Sequence, residues 1–80
     1  MYTYETKGVC SRKITFDIKN NAIQDVNFLG GCDGNLKGLS KLIEGMNTNE
    51  AIKKLSGITC GNKETSCPDQ LAKAIKEAIS

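Results

Sequence analysis

The sequence has no tryptophan, only two phenylalanines and two tyrosines, and a formal net charge of +2 over 80 residues. A base-stacking platform needs aromatic bulk and a phosphate-tracking groove needs concentrated positive charge, so direct nucleic-acid binding is not expected. No run approaches the roughly 18 consecutive apolar residues of a membrane helix, and the C-terminal stretch is too rich in alanine and lysine for a tail anchor. The first seven residues, Met1 to Lys7, lack the basic start and apolar stretch of a secretory signal. No membrane partner and a cytoplasmic location are therefore the expectation.

What is present is a chain with 39% hydrophobic and 25% charged positions, the composition of one small globular domain covering residues 1–80. A domain of this size buries only about 60 to 65% of the surface that its unfolded chain exposes, and it is marginal without a metal, a disulfide or a partner subunit. Four cysteines are the obvious supplement. In a reducing compartment, cysteines at this density serve metal binding or thiol chemistry more often than structural disulfides. A homodimer is left open.

Between Arg12 and Lys19, Ile14, Phe16 and Ile18 alternate with Thr15, Asp17 and Lys19, the period of a half-buried strand. Asn20-Asn21 suits a left-handed turn, and Val26 and Phe28 alternate with Asp25 and Asn27 in the returning strand. Tyr2, Tyr4 and Thr6 alternate ahead of Gly8, which adds a further antiparallel strand. From Leu36 the period becomes helical: Leu36, Leu39, Ile43 and Met46 form a stripe that Leu42 widens. Asn47 and Glu50 resemble a capping box before a second helix with Ala51, Ile52 and Leu55 on one face and Gly57 as its stop. Pro68 suits a first helical position, followed by a face of Leu71, Ile75, Ala78 and Ile79. Strands grouped first and helices second predict an α+β fold: a three-stranded antiparallel sheet with three helices on one face.

The cysteines, Cys10, Cys32, Cys60 and Cys67, each fall at an element boundary, positions that could converge at one end of the fold. Four thiolates suit tetrahedral zinc and also suit iron-sulfur centres. The spacing C-x21-C-x27-C-x6-C has none of the C-x2-C knuckles of a zinc ribbon and does not choose between them. Local chemistry adds more. Gly30 and Gly31 allow close backbone approach to a ligand and offer free amides to sulfur. If Pro68 opens the last helix, the amides of Asp69 and Gln70 and the positive helix terminus face the Cys67 sulfur and favour its thiolate. Asp69 opposes this unless its carboxylate caps the helix. The bland alternative makes Gly30-Gly31 a tight turn, Ser66 to Asp69 a plain helix start and the cysteines small apolar fillers.

Thr65-Ser66-Cys67-Pro68-Asp69 matches, letter for letter, the pentapeptide that names the TSCPD domain, and Gly30-Gly31-Cys32 resembles that family's second signature. The resemblance spans nearly the whole chain and is nearest to small stand-alone members with four cysteines, related to a C-terminal domain of cobalamin-dependent ribonucleotide reductases. It implies a metal site with Cys10, Cys32, Cys60 and Cys67 as ligands and Gly30, Gly31, Ser66 and Asp69 around them. It also implies an association with ribonucleoside-diphosphate reductase. A fainter resemblance, in element order and in the places of Cys10, Cys32 and Cys67, is to NifU/IscU-type iron-sulfur scaffolds. That family typically has an acidic residue two positions after its first cysteine and often a histidine before its last, where this chain has Arg12 and Ser66. Cys60 as a fourth thiolate would close the site, which suits holding a metal better than handing on a cluster.

The expected function is a zinc-binding accessory module, with an iron-sulfur cluster as the alternative cofactor and a ribonucleotide reductase catalytic subunit as the partner. A reductase needs a barrel, a cofactor site and a substrate pocket, more than 80 residues can enclose, so no catalytic residue is assigned. Competing readings are an iron-sulfur carrier and a dithiol exchange module in which Cys67 attacks and Cys60 or Cys32 resolves.

Overall fold

The computed structural model describes residues 1–9, 11–31 and 33–80, the side chain of Asp33 excepted. Its strands are β1 (Tyr2–Glu5), β2 (Ser11–Lys19) and β3 (Ala22–Gly30), and its helices are α1 (Asp33–Ile43), α2 (Thr48–Leu55) and α3 (Cys67–Ile79). The sheet is antiparallel in the order β1-β2-β3, which makes the fold α+β with three strands followed by three helices. No helix among the described residues is long and apolar enough to cross a membrane.

The β2–β3 hairpin turns on Asn20 and Asn21, at φ 53° and 63°, with Lys19 paired to Ala22. Two consecutive left-handed residues make the tight turn whose twist matches that of the strands it joins, and asparagine tolerates that conformation. Two irregularities then set which side chains reach the core. Ser11 pairs with Gly30 but Lys13 with Leu29, so Arg12 is an extra residue on β2. Thr15 pairs with Asn27 but Asp17 with Gln24, and the extra residue on β3 includes Asp25 at φ 54°. Each bulge shifts the alternation by one. Ser11 thereby joins Ile14 and Phe16 among the buried residues of β2, and Ile23 joins Val26 on β3.

The core is one cluster drawn from sheet and helices: Ile14, Phe16, Ile23 and Val26 against Ile43, Ala51, Leu55, Leu71 and Ile75, among others. Tyr2 stacks on Phe16, its cross-strand partner, with ring centroids 5.4 Å apart. Helix α1 packs chiefly on β3, and α2 on α3. The buried alanines Ala51, Ala72 and Ala74 suit that close helix pair.

The helical stripes depart from expectation in three places. Leu42 does not widen the apolar face of α1 but is 80% exposed, because α1 has one main neighbour and Leu42 points away from it. Met46 lies past the end of the helix. Residues 45–48 run beside β3 and the hairpin turn, with Gly45 N donating to Ile23 O (2.7 Å), Ile23 N to Met46 O (2.9 Å) and Thr48 N to Asn21 O (2.9 Å). Ile79 is 43% exposed, and Ala72 and Ala74 take the buried places on α3 instead. The cap of α2 is half of a capping box: Asn47 Oδ1 accepts from the amides of Asn49 (2.9 Å) and Glu50 (3.3 Å), while Glu50 turns to Lys54 (3.2 Å).

Candidate functional site

The segment Thr65 to Gln70 organises one end of the molecule, and its polar side chains are spent on tying loops together. Ser66 is the N-cap of α3: its Oγ accepts from Asp69 N (3.2 Å) and donates to Ile58 O (2.7 Å). Asp69 Oδ1 accepts from Gly57 N (2.8 Å), and Oδ2 accepts from the Thr65 hydroxyl and lies 3.5 Å from Lys73 Nζ. The Thr65 hydroxyl hydrogen bond, then the Gly57 amide, hold the Asp69 carboxyl below its ordinary value against the opposing effect of burial, with Lys73 adding a smaller pull. Gln70 reaches in two directions, donating from Nε2 to Thr65 Oγ1 (3.0 Å) and accepting at Oε1 from Lys7 N (3.2 Å). The loop between β1 and β2 is thus fastened to the start of α3.

Cys67 is the first residue of α3, not the last residue before it, which corrects the expectation that Pro68 opens the helix. Serine is the better N-cap, so the helix begins one residue earlier. The amides expected to face the Cys67 sulfur are taken as well: Ser66 Oγ accepts from Asp69 N and Ser66 O accepts from Gln70 N (2.8 Å). What does meet Cys67 Sγ is the hydroxyl of Ser11, at 3.1 Å. The alternation of β2 carries no signal of this contact, because only the bulge at Arg12 turns Ser11 inward.

Cys60 sits in the loop between α2 and α3, where Lys63 N donates to Cys60 O (3.0 Å) and Cys60 N to Thr65 O (3.3 Å). The tight turn so formed carries Gly61 at φ 57°. Cys60 and Cys67 line one cavity of about 330 Å³, walled mainly by Val9, Leu36, Leu39 and Pro68, with Lys63 and Ser66 among its polar residues. Both thiols are free.

The other two cysteine positions, Cys10 and Cys32, lie outside the described residues. Their chain neighbours do not: Val9 lines the cavity, Ser11 touches Cys67, and Gly31 lies against Ser11 and the cavity wall Leu36. Gly31 has φ 83°, and a Cβ there would stand 2.9 Å from Leu36 Cδ1 and 3.1 Å from Ser11 N. Its bare Cα therefore serves a close crossing of two backbones. Gly30, at φ 85°, ends β3 opposite Ser11. Among the described residues no three or more cysteine, aspartate or glutamate side chains gather so as to hold a metal ion. The two described thiols are thus no metal site alone, and a closed site needs Cys10 and Cys32. A set of four thiolates is the donor chemistry that zinc and iron-sulfur clusters take, and among the described residues the largely apolar lining of the cavity around Cys60 and Cys67 holds no competing carboxylate.

A family model described as the TSCPD domain matches residues 2–79. No curated protein and no solved structure matches the chain significantly.

Proposed function

We propose, from the premise that this chain belongs to the TSCPD domain family, that it is a small metal-binding module with Cys10, Cys32, Cys60 and Cys67 as ligands. Zinc is favoured over an iron-sulfur cluster, since four protein thiolates make a closed tetrahedral site with no position open for exchange. The observation that carries the reading is that Cys60, Cys67 and Val9, which precedes Cys10, line one cavity, while Ser11, which follows Cys10, touches Cys67 and Gly31, which precedes Cys32, lies against Ser11 and the cavity wall Leu36. Bound zinc would supply a cross-link between the sheet end, the loop after α2 and the start of α3. The residues of the chain do the rest: Ser66 and Asp69 hold Cys67 and the Cys60 loop in place, and Val9, Leu36 and Leu39 form the apolar wall beside the two cysteines.

In this reading the module acts in trans on a ribonucleoside-diphosphate reductase, docking on its catalytic subunit rather than catalysing nucleotide reduction. Elemental analysis of anaerobically purified protein, with a count of free thiols, tests the metal. One zinc per chain and no reactive thiols is expected; brown protein with iron and sulfide moves the iron-sulfur alternative ahead. Metal-free protein with four reactive thiols overturns both. A pull-down with the purified catalytic subunit tests the partner, and no association at micromolar concentrations removes it.

One observation favours a second reading. Cys60 is exposed and shares its cavity with Cys67, an arrangement suited to dithiol exchange. There the two thiols would pass two electrons and two protons to a partner's disulfide, leaving a Cys60–Cys67 disulfide and a partner dithiol.

A further inference from the structure

We infer that Ser11 is the positioning residue for the Cys67 thiolate as a metal ligand, a role that rests on the metal-binding reading above. Ser11 is 2% exposed, and its Oγ lies 3.1 Å from Cys67 Sγ. Either atom can donate while the sulfur carries its proton. A ligating thiolate has none, so the hydroxyl must then donate to sulfur, and a hydroxyl accommodates both states by rotating about its C–O bond. Burial of Ser11 keeps water from competing for its hydroxyl proton, while Cys67 itself is half-buried.

The placement of Ser11 is built by the backbone. The extra residue Arg12 turns it from the open face of β2 to the helix side. The Thr6 hydroxyl donates to Ser11 O, Thr6 N donates to Arg12 O (3.2 Å), and the bare Cα of Gly31 passes directly over Ser11 N. A backbone so restrained keeps the Ser11 hydroxyl beside the Cys67 sulfur, and a hydrogen bond to a ligand atom fixes the ligand's orientation and tempers its charge.

The test uses the full chain, stripped of metal under reducing conditions, as wild type, Ser11→Ala and Ser11→Thr. Zinc affinity is read by competition with a chromophoric chelator, and cobalt(II) is added separately to read the sulfur-to-cobalt charge-transfer band. Ser11→Ala should weaken zinc binding by about 10- to 100-fold and move the cobalt band to lower energy, since an unbonded thiolate gives up its electrons more readily. Ser11→Thr, which restores the hydroxyl, should recover most of both. Thermal melts of the metal-free proteins separate this from a merely structural role, for which Ser11→Ala would melt lower without metal and leave the cobalt band in place. Wild-type affinity and an unshifted band in Ser11→Ala overturn the role of Ser11 while leaving the metal site standing. If wild type takes up neither zinc nor cobalt, the metal-binding reading fails and the role of Ser11 falls with it.

Discussion

Asp69 Oδ1 accepts a hydrogen bond from the Gly57 amide at 2.8 Å, so a carboxylate in the first turn of α3 holds the residue that follows Ser56, the C-cap of α2. Its second oxygen takes the Thr65 hydroxyl, and Asp69 is 6% exposed, although Gly57 lies at the surface where water can reach its amide. Asp69→Ala should cost about 1 to 3 kcal/mol, because hydrogen bonds to a charged group are worth more than neutral ones and the half-buried Thr65 hydroxyl loses its carboxylate acceptor. Lys73→Ala, which removes only the exposed partner of Asp69, should cost no more than about 0.5 kcal/mol. Urea unfolding of the two variants checks the pair, and equal midpoints would show that the clamp contributes nothing.

The same carboxylate gives the metal-free protein an acid limb. Its folded pKa is lowered, so its contribution is fully present above the unfolded value, about 4, and is lost as pH falls through the folded value. Urea midpoints measured from pH 6 to pH 2, roughly the range in which carboxylates titrate, should fall more steeply for wild type than for Asp69→Asn. Parallel curves would mean that Asp69 titrates alike in both states.

Two glycine substitutions should act in opposite directions. Gly31→Ala meets Leu36 Cδ1 and Ser11 N in a left-handed backbone and should destabilise by about 2 to 4 kcal/mol. Gly38, inside α1 with nothing within 4 Å of where a methyl group would stand, has no such obstacle. Gly38→Ala should stabilise by about 0.5 to 1 kcal/mol through helix propensity. Thermal melts decide both signs.

Cys67→Ala should lower metal content and melting temperature together, since a metal that binds only the folded state stabilises it by its binding free energy. Lys73→Ala should change the metal content of the protein not at all. Should Cys67→Ala melt like wild type while chelator leaves wild type unchanged, no metal supports the fold, and dithiol exchange becomes the better reading.

The local code of this chain is short-range and was readable as such. Asn20-Asn21 wants left-handed conformations whatever surrounds it, Ile14 and Phe16 alternate, and Asn47 can cap the helix behind it from its own side chain. Each of these preferences is satisfied by neighbours within a few residues, so the order of three strands and three helices follows from sequence alone. The motif Thr65 to Asp69 was legible too, as letters, and the family follows from it.

What those letters do was decided by tertiary structure. Asp69 reaches Gly57, Ser66 reaches Ile58 and Gln70 reaches Lys7 across loops whose paths no local preference specifies. Leu42 has the spacing of a core residue and is exposed because, among the described residues, α1 packs chiefly on one strand. Ser11 looks outward by alternation and points inward because one extra residue in β2 reverses the phase, bringing its hydroxyl to Cys67 from 56 positions away. A bulge changes no composition and no period outside itself, so its effect on the site exists only where the strands pair.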